Sequence, residues 1–268
     1  MKKLARFGQL AAVLAVFVLV LAACAAPAPA SAPPAASDSA AAPKISIKVG
    51  TNAEYRPFEY VDENNQIIGF DVDLMNALAA EAGIEFEFVN TKWDGIFVAL
   101  ANGEFDAVIS AVTITDERKQ SVDFTDPYFN AGQVIAVLAD NETITGLDSL
   151  TDAVKVGVQL GTTADIFLTD NTPAQIQRFD ELPLALQAMG NRDVDAVVAE
   201  LPVLGDYLKA NPALNGKIVG EPFTDELFGI AVNKGKPEVR DALNTALAAI
   251  KGNGVYDQIY SKWFGAGN

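Results

Sequence analysis

Ala101-Asn102-Gly103-Glu104-Phe105-Asp106-Ala107-Val108-Ile109-Ser110-Ala111 has a counterpart further along the chain, Gly190-Asn191-Arg192-Asp193-Val194-Asp195-Ala196-Val197-Val198-Ala199-Glu200. Each stretch reads as a helix end, a tight turn and a short apolar strand running out into small or polar residues. Chance likeness in a brief Asp-Ala-Val run is the plain alternative. The elements around the two stretches argue for a real repeat.

Upstream of the first, Ile45 to Val49 alternates as a strand and ends at Gly50-Thr51-Asn52. Asp62-Glu63-Asn64-Asn65 turns between Tyr60-Val61 and Ile67-Ile68, a hairpin. Asp71 to Ala82 has helical spacing and stops at Gly83. Phe86 to Val89 is a strand, Asp94 to Ala101 a helix, and Asp106 to Ile109 a buried strand. Upstream of the second, Val154 to Val158 is a strand, and Gly161-Thr162-Thr163-Ala164-Asp165 opens a helix with capping-box spacing. Gln175 to Phe179 is a strand, Leu182 to Met189 a helix and Ala196 to Val198 a strand. Alternating strands and helices on short links make an α/β protein of two lobes, each a mostly parallel sheet flanked by helices. Leu227 to Val232 then reads as a strand, Pro237 to Lys251 and Val255 to Trp263 as helices. With Val134 to Leu138, the strand at 227–232 suggests two strands crossing between lobes. The expected division is residues 45–131 plus 228–268 for a discontinuous first lobe and 132–227 for the second.

Ligands of open parallel sheets bind beyond the carboxyl ends of the strands. That rule places Ser110, Thr113, Thr162, Thr163 and Glu200 on cleft edges. Just past Ile109 the run Thr113-Ile114-Thr115-Asp116-Glu117-Arg118 is rich in helix-start residues. Arg118 adds a planar, permanently charged fork that matches a carboxylate. A solvated arginine at a surface turn is the simpler alternative.

The chain opens with Lys2, Lys3 and Arg6, an apolar run from Leu10 to Leu21, and then Ala22-Ala23-Cys24. The pattern is a secretory signal over 1–23, with an uncleaved anchor helix as the other reading. Residues 24–44 are almost wholly Ala, Pro and Ser, a composition that buries too little apolar surface to fold and serves as a tether.

There is one cysteine and no histidine among 268 residues, so no intrachain disulfide, no Ser-His-Asp or Cys-His nucleophile, and little basis for a zinc site. No metal or cofactor is expected. The formal charge of −16 becomes −19 once the three leader cations are removed. Nucleic acid is a poor partner for such a surface, while small cations are mildly favoured. A free amino acid held in a dry cleft needs both of its charges paired. Arg118 can take a carboxylate and Glu200 an ammonium, although Glu200 is equally readable as a solvated loop acid. Tyr55 and Trp93 flank a strand end and a helix start, as core residues or as a sandwich for a ligand side chain. Asn52, close to the first strand end, carries an amide that both donates and accepts.

The run Val49-Gly50-Thr51-Asn52, Pro57-Phe58-Glu59-Tyr60, Gly69-Phe70-Asp71-Val72-Asp73-Leu74 and Thr113 to Arg118 resembles the family 3 extracellular solute-binding proteins, receptors of ABC-type importers for polar amino acids. The likeness continues through Val156-Gly157-Val158-Gln159-Leu160-Gly161-Thr162-Thr163, Asp195-Ala196-Val197, Phe228-Gly229-Ile230-Ala231 and Tyr260-Ser261-Lys262-Trp263-Phe264-Gly265. It spans essentially all of 45–265. The resemblance implies a two-lobe periplasmic-binding-protein fold of type II that closes on a free amino acid and docks, as a monomer, on permease subunits. Leu21-Ala22-Ala23-Cys24 is similar to a bacterial lipoprotein signal, which implies a lipid on Cys24 and an extracytoplasmic, membrane-anchored protein. By resemblance Arg118 is the carboxylate clamp, and Ser110, Thr113 and Thr163 hold the ligand backbone, with Ala111 and Thr162 beside them. Glu200 stands where the family usually has an aspartate for the ammonium. Tyr55 and Trp93 match its aromatic clamp, and Asn52 and Gln159 positions that read the ligand side chain.

An aromatic pair in an acidic protein leans toward a basic amino acid, while Asn52 and Gln159 suit glutamine equally well. The same scaffold hosts exported dehydratases and sensor domains. Without histidine an enzyme would have only carboxylates, Lys or Tyr for acid–base work, and a sensor is expected to carry a membrane span after the domain. A binding receptor, not an enzyme, is the expected function.

Overall fold

A computed structural model of the chain describes residues 45–265; the leader 1–23, Cys24 and the tether 24–44 lie outside the described residues. The first sheet runs Glu85–Asn90, Ser46–Thr51, Ala107–Val108, Ala231–Val232, Asp123–Phe124. The second runs Gln175–Phe179, Lys155–Gln159, Ala196–Glu200, Gln133–Leu138, Gly216–Val219. In each sheet the first three strands are parallel and the next joins antiparallel.

The two Asp-Ala-Val stretches do the same job in the two sheets. Asp106 accepts the amide of Lys48 on Oδ2 at 2.8 Å and returns its own amide to the Lys48 carbonyl at 2.9 Å. Asp195 does so with Lys155, at 2.8 Å and 2.8 Å. The aspartate thus sets the register at which the last parallel strand joins the first: Val49 faces Ala107 in one sheet and Val156 faces Ala196 in the other. Each central strand follows its lysine with Val-Gly. A Cβ on Gly50 would lie 3.0 Å from the Phe105 ring, and one on Gly157 would lie 3.3 Å from Val194. Phe105 and Val194 occupy equivalent places in the repeat, so both glycines admit the residue that precedes the register aspartate.

The strands that cross between the sheets are not those the apolar runs suggest. Phe129–Ala131 pairs antiparallel with Glu226–Phe228, whereas Gln133–Leu138 already belongs to the second sheet. The run 227–232 breaks after Phe228 and resumes as Ala231–Val232 in the first sheet. A Cβ on Gly229, in that break, would come within 2.8 Å of Ile114. The crossing pair sits in an aromatic core: Phe129 stacks on Phe228 at 5.9 Å and on Tyr260 at 5.8 Å, and Phe58 meets Phe129 edge-on at 5.0 Å. The last helix, Val255–Phe264, thereby closes over the base of the crossing strands.

Helix starts also shift. The helix read from Asp94 begins at Ile96, because Gly95 is left-handed (φ 85°) and ends the turn before it. No helix opens at Thr113. A four-residue turn, Arg118–Ser121, follows instead, with the Thr115 hydroxyl accepting the Arg118 amide at 3.1 Å. At Thr162 the expected cap is present, its Oγ1 accepting the Asp165 amide at 3.3 Å, while Asp165 reaches back to the amide of Gly161 at 3.0 Å.

Gly69 joins the hairpin to the first helix, Phe70–Ala82, at φ 145° with the Phe58 carbonyl 1.9 Å from where a Cβ would stand. Gly69→Ala is expected to cost roughly 3 kcal/mol or more in urea unfolding, since backbone atoms cannot step aside as a side chain would. A loss under about 1 kcal/mol would contradict this packing.

Candidate functional site

The carboxyl ends of the parallel strands in both sheets open on one cavity. Its wall holds Asn52, Tyr55, Trp93, Ser110, Ala111, Thr113 and Arg118 from the first-sheet side, with Gln159, Thr162, Thr163 and Glu200 from the second. All of the candidate residues read from the sequence therefore surround a single space. One more residue lines it that sequence reasoning passed over: Glu59.

Arg118 is only 9 % exposed and forms no ion pair with any described residue. Its Nη1 donates to the Thr113 carbonyl at 2.8 Å. Its guanidinium carbon lies 4.6 Å from the centre of the Phe97 ring and 5.3 Å from that of Trp93. Trp93 and Phe97 are themselves edge-to-face at 5.3 Å, so the two rings fix the fork from one side. Burial lowers the guanidinium to about 10, and the carboxylates of Glu226 and Glu200 oppose the shift through space. Trp93 is thus part core and part cavity wall, supporting the cation as well as bordering the space.

Glu200 ends the strand Ala196–Glu200 and is 5 % exposed. Its Oε2 accepts a hydrogen bond from the Tyr55 hydroxyl, which comes from the opposite sheet's hairpin. Burial raises this carboxyl to about 7, the negative charge of Glu226 adds to the rise, and the Tyr55 hydroxyl and Arg118 hold it down. Burial and the Glu200 charge push the Tyr55 phenol far above its ordinary range, so it stays a donor. Glu226 lies on the crossing strand, is 4 % exposed, and has one oxygen without a partner.

At the other end of the cavity the two side-chain amides meet across the cleft. Gln159 Nε2 donates to Asn52 Oδ1 at 3.1 Å and to the Asp180 carbonyl at 3.1 Å, while Asn52 Nδ2 donates to the Thr91 carbonyl at 3.1 Å. Ser110 Oγ accepts the Asn52 amide at 3.0 Å and donates to Glu59 Oε1 at 2.8 Å. Ala111 is held left-handed (φ 45°), a conformation an L-residue adopts at a cost of about 1–2 kcal/mol, by its amide donating to Asp71 Oδ2 at 2.7 Å. Thr163 Oγ1 accepts from buried Gln133 at 3.0 Å, and Thr162 Oγ1 donates to the Gln159 carbonyl at 2.8 Å. What the wall offers is one cation, Arg118, two acids, Glu59 and Glu200, and hydroxyl, backbone and side-chain amide groups from both sheets.

Two sheets that face a shared ligand space across antiparallel crossing strands define a two-lobed periplasmic-type binding protein. The chain belongs to the bacterial extracellular solute-binding proteins, family 3, whose model matches residues 47–266. A probable histidine-binding protein of Neisseria gonorrhoeae is 42 % identical over 259 residues, 95 % of this chain and 94 % of that protein. The solved structure of an ancestral arginine-binding protein bound to arginine superposes with a TM-score of 0.78 at 45 % identity, covering 82 % of this chain and 98 % of its own. An ancestral amino acid-binding protein described as a precursor of cyclohexadienyl dehydratase superposes with a TM-score of 0.76 at 44 % identity, covering 82 % and 95 %. Among the described residues no helix is long and apolar enough to cross a membrane.

Because the folded Glu200 carboxyl titrates near 7, above the ordinary value near 4.5, the folded ligand-free protein binds a proton here that the unfolded chain has lost. This group's contribution to stability is therefore full below about pH 4.5 and is lost as pH rises toward about 7. The difference in unfolding free energy between wild type and Glu200→Gln is expected to change by on the order of 2–3 kcal/mol between pH 4.5 and 7.5. A difference that stays level across that window would place the titration elsewhere.

Proposed function

We propose that the cavity takes a free amino acid, favouring basic ones, and that the protein hands it to the transmembrane subunits of an ABC importer. The observation that carries this reading is the buried guanidinium of Arg118, without an ion-pair partner, on the wall of the cavity that also holds Glu200. A zwitterion supplies the two missing charges: its carboxylate to Arg118, its ammonium to Glu200. Ser110, Ala111, Thr113, Thr162 and Thr163 border the ligand backbone, Tyr55 and Trp93 its side chain, and Asn52 with Gln159 its far end. Glutamine would suit that amide pair. The acidity of the protein as a whole supports a cationic ligand instead, as do the histidine- and arginine-binding relatives.

In this reading residues 45–131 with 228–268 move as one lobe against 132–227, about the strands Phe129–Ala131 and Glu226–Phe228. Tyr55 with Glu200 and Gln159 with Asn52 join the two sides, and the surface pairs Arg56–Asp206 at 3.1 Å and Lys92–Asp180 at 3.5 Å add weakly at the rim. Turning a mostly open population into a mostly closed one needs roughly 5.5 kcal/mol of differential affinity. A micromolar ligand carries about 8.2 kcal/mol, so the charge pairs suffice. A lipid on Cys24, outside the described residues, with the 24–44 segment as tether, would hold the protein at the outer face of the membrane as a monomer.

A second reading has one observation behind it: a buried carboxyl titrating near 7 in a cleft suits a general acid, and one structural relative is the precursor of a dehydratase. The bonds that occupy Glu200 and its place opposite Arg118 are explained by binding alone, which puts the receptor first. Turnover of a prephenate-like acid would reverse the order.

In a thermal-shift screen of the twenty amino acids and ornithine, arginine, lysine, histidine or ornithine is expected to give the largest rise in Tm and to shrink the radius of gyration in solution scattering. No response to any of these four would remove the basic preference, and an unchanged radius at saturation would remove closure. Arg118→Ala is expected to weaken calorimetric affinity by at least about a hundredfold, the few kcal/mol that an unpaired buried charge costs, with little change in the Tm of the free protein. Retained affinity would take Arg118 out of its role.

A further inference from the structure

Glu59 and Asp71 are the two acids fully excluded from solvent, each 0 % exposed, on the hairpin strand Glu59–Val61 and in the first turn of the helix Phe70–Ala82. Their hydrogen bonds can be counted oxygen by oxygen. Glu59 Oε1 accepts from Ser110 Oγ at 2.8 Å. Asp71 Oδ2 accepts from the Ala111 amide at 2.7 Å and from the Tyr128 hydroxyl at 2.8 Å. The remaining oxygens, Glu59 Oε2 and Asp71 Oδ1, have no donor among the described residues, and the two carboxyls, bound to the adjacent residues Ser110 and Ala111, lie close enough to share a proton. Two acceptors can bond only if a proton stands between them. Two bare carboxylates at contact in a dry core would instead repel by several kcal/mol.

Neither carboxyl has an ion pair with a described residue, and Arg118, which shares the cavity wall with Glu59, donates to the Thr113 carbonyl instead. The titratable groups that face the pair are Glu200 and, from its own hairpin, Tyr55 for Glu59, with Tyr128 and, from the last helix, Tyr256 for Asp71; none of these is a cation. Burial and the Asp71 charge push Glu59 well up, whereas Asp71, with three donors once the proton is included, rises only to about 6. The proton resides on Glu59 and is donated to Asp71, since Glu59 has a single donor in Ser110 Oγ whereas Asp71 already accepts from the Ala111 amide and the Tyr128 hydroxyl.

The pair also holds the floor of the cavity. Through Ser110 Oγ it reaches the amide of Asn52, and through Asp71 it keeps Ala111 in its left-handed turn. We infer that Glu59 is a positioning residue, a carboxylic acid kept protonated against Asp71, and that this shared proton fixes Ser110 and Ala111 where the ligand's backbone is received. The role of the floor rests on the amino-acid reading above; the shared proton does not.

The test uses the full chain and two readouts. Infrared difference spectra of the ligand-free protein at about pH 8.5, above the titration of Glu200, are expected to show a protonated-carboxyl carbonyl band that Glu59→Gln removes. With L-arginine as probe, Glu59→Ala is expected to lose at least about tenfold in affinity, because it leaves the Ser110 hydroxyl and Asp71 unpaired. Glu59→Gln, whose amide donates to Asp71 as the acid does, should recover most of that loss. Its affinity should also lack the alkaline fall that wild type shows as Glu59 ionises. A band that survives in Glu59→Gln would overturn the shared proton. Equal arginine affinity in Glu59→Ala and wild type, or a Glu59→Gln variant as weak as Glu59→Ala, would overturn the positioning role. If Glu59→Ala does not fold, the Glu59→Gln band and pH profile decide both points. If wild type itself ignores arginine and the other amino acids, the ligand reading and the floor's role fall together while the infrared arm still decides the proton.

Discussion

Taking a guanidinium out of water and leaving it without an ion pair is costly, and the protein does this at Arg118. The Thr113 carbonyl and the faces of Phe97 and Trp93 recover part of the lost hydration. The rest of the site can be understood as the means of keeping that cation available. The obvious way for the empty protein to relax would be for Glu200 to swing onto Arg118. The Tyr55 hydroxyl gives Glu200 a bond elsewhere, and burial keeps the carboxyl largely neutral up to about pH 7, so the attraction between the two is weakened until a ligand arrives. Separate charges in one cavity select a molecule that carries both.

Holding two such groups at a fixed separation explains why the chain repeats itself. Asp106 and Asp195 lock the register of equivalent strands, and the strand ends that follow deliver Ser110 on one side and Glu200 on the other. An error of one residue in either register would turn these side chains to the wrong face. The glycines of the central strands matter for the same reason. They let Phe105 and Val194 pack down on the strand, so the aspartate beside each reaches the lysine amide.

Much of this was legible before any coordinates. The Asp-Ala-Val repeat marks both register locks, the capping spacing at Thr162 marks a helix start, and the rule that ligands sit past the carboxyl ends of parallel strands gathers Ser110, Thr113, Thr162, Thr163 and Glu200 at one place. The misreadings share a cause, in that tertiary contacts decided what local pattern could not. An unbroken apolar run over 227–232 gives no hint that the Ile114 side chain fills the space beside Gly229 and parts the strand there. The crossing strand Phe129–Ala131 is too short, and too aromatic, to separate from the loop before it. Glu59 carries no signal of its own in the run Pro57-Phe58-Glu59-Tyr60, because an acid in a hairpin ordinarily faces water.

Glu200 departs from the aspartate usual at its position in the resembling family, and the extra methylene has a consequence for how the lobes meet. A longer side chain carries the carboxylate further out from the strand end, far enough to accept the Tyr55 hydroxyl from the opposite side. In the proposed function the same carboxylate serves two purposes, joining the lobes and receiving an ammonium. When the ammonium arrives the carboxyl must ionise, and an ionised Glu200 is a stronger acceptor for Tyr55 than a neutral one. Ligand charge and lobe contact therefore reinforce each other at a single residue: the contact across the cleft strengthens only when a cation is inside. Under the proposed function, that coupling supplies the differential affinity that closure requires.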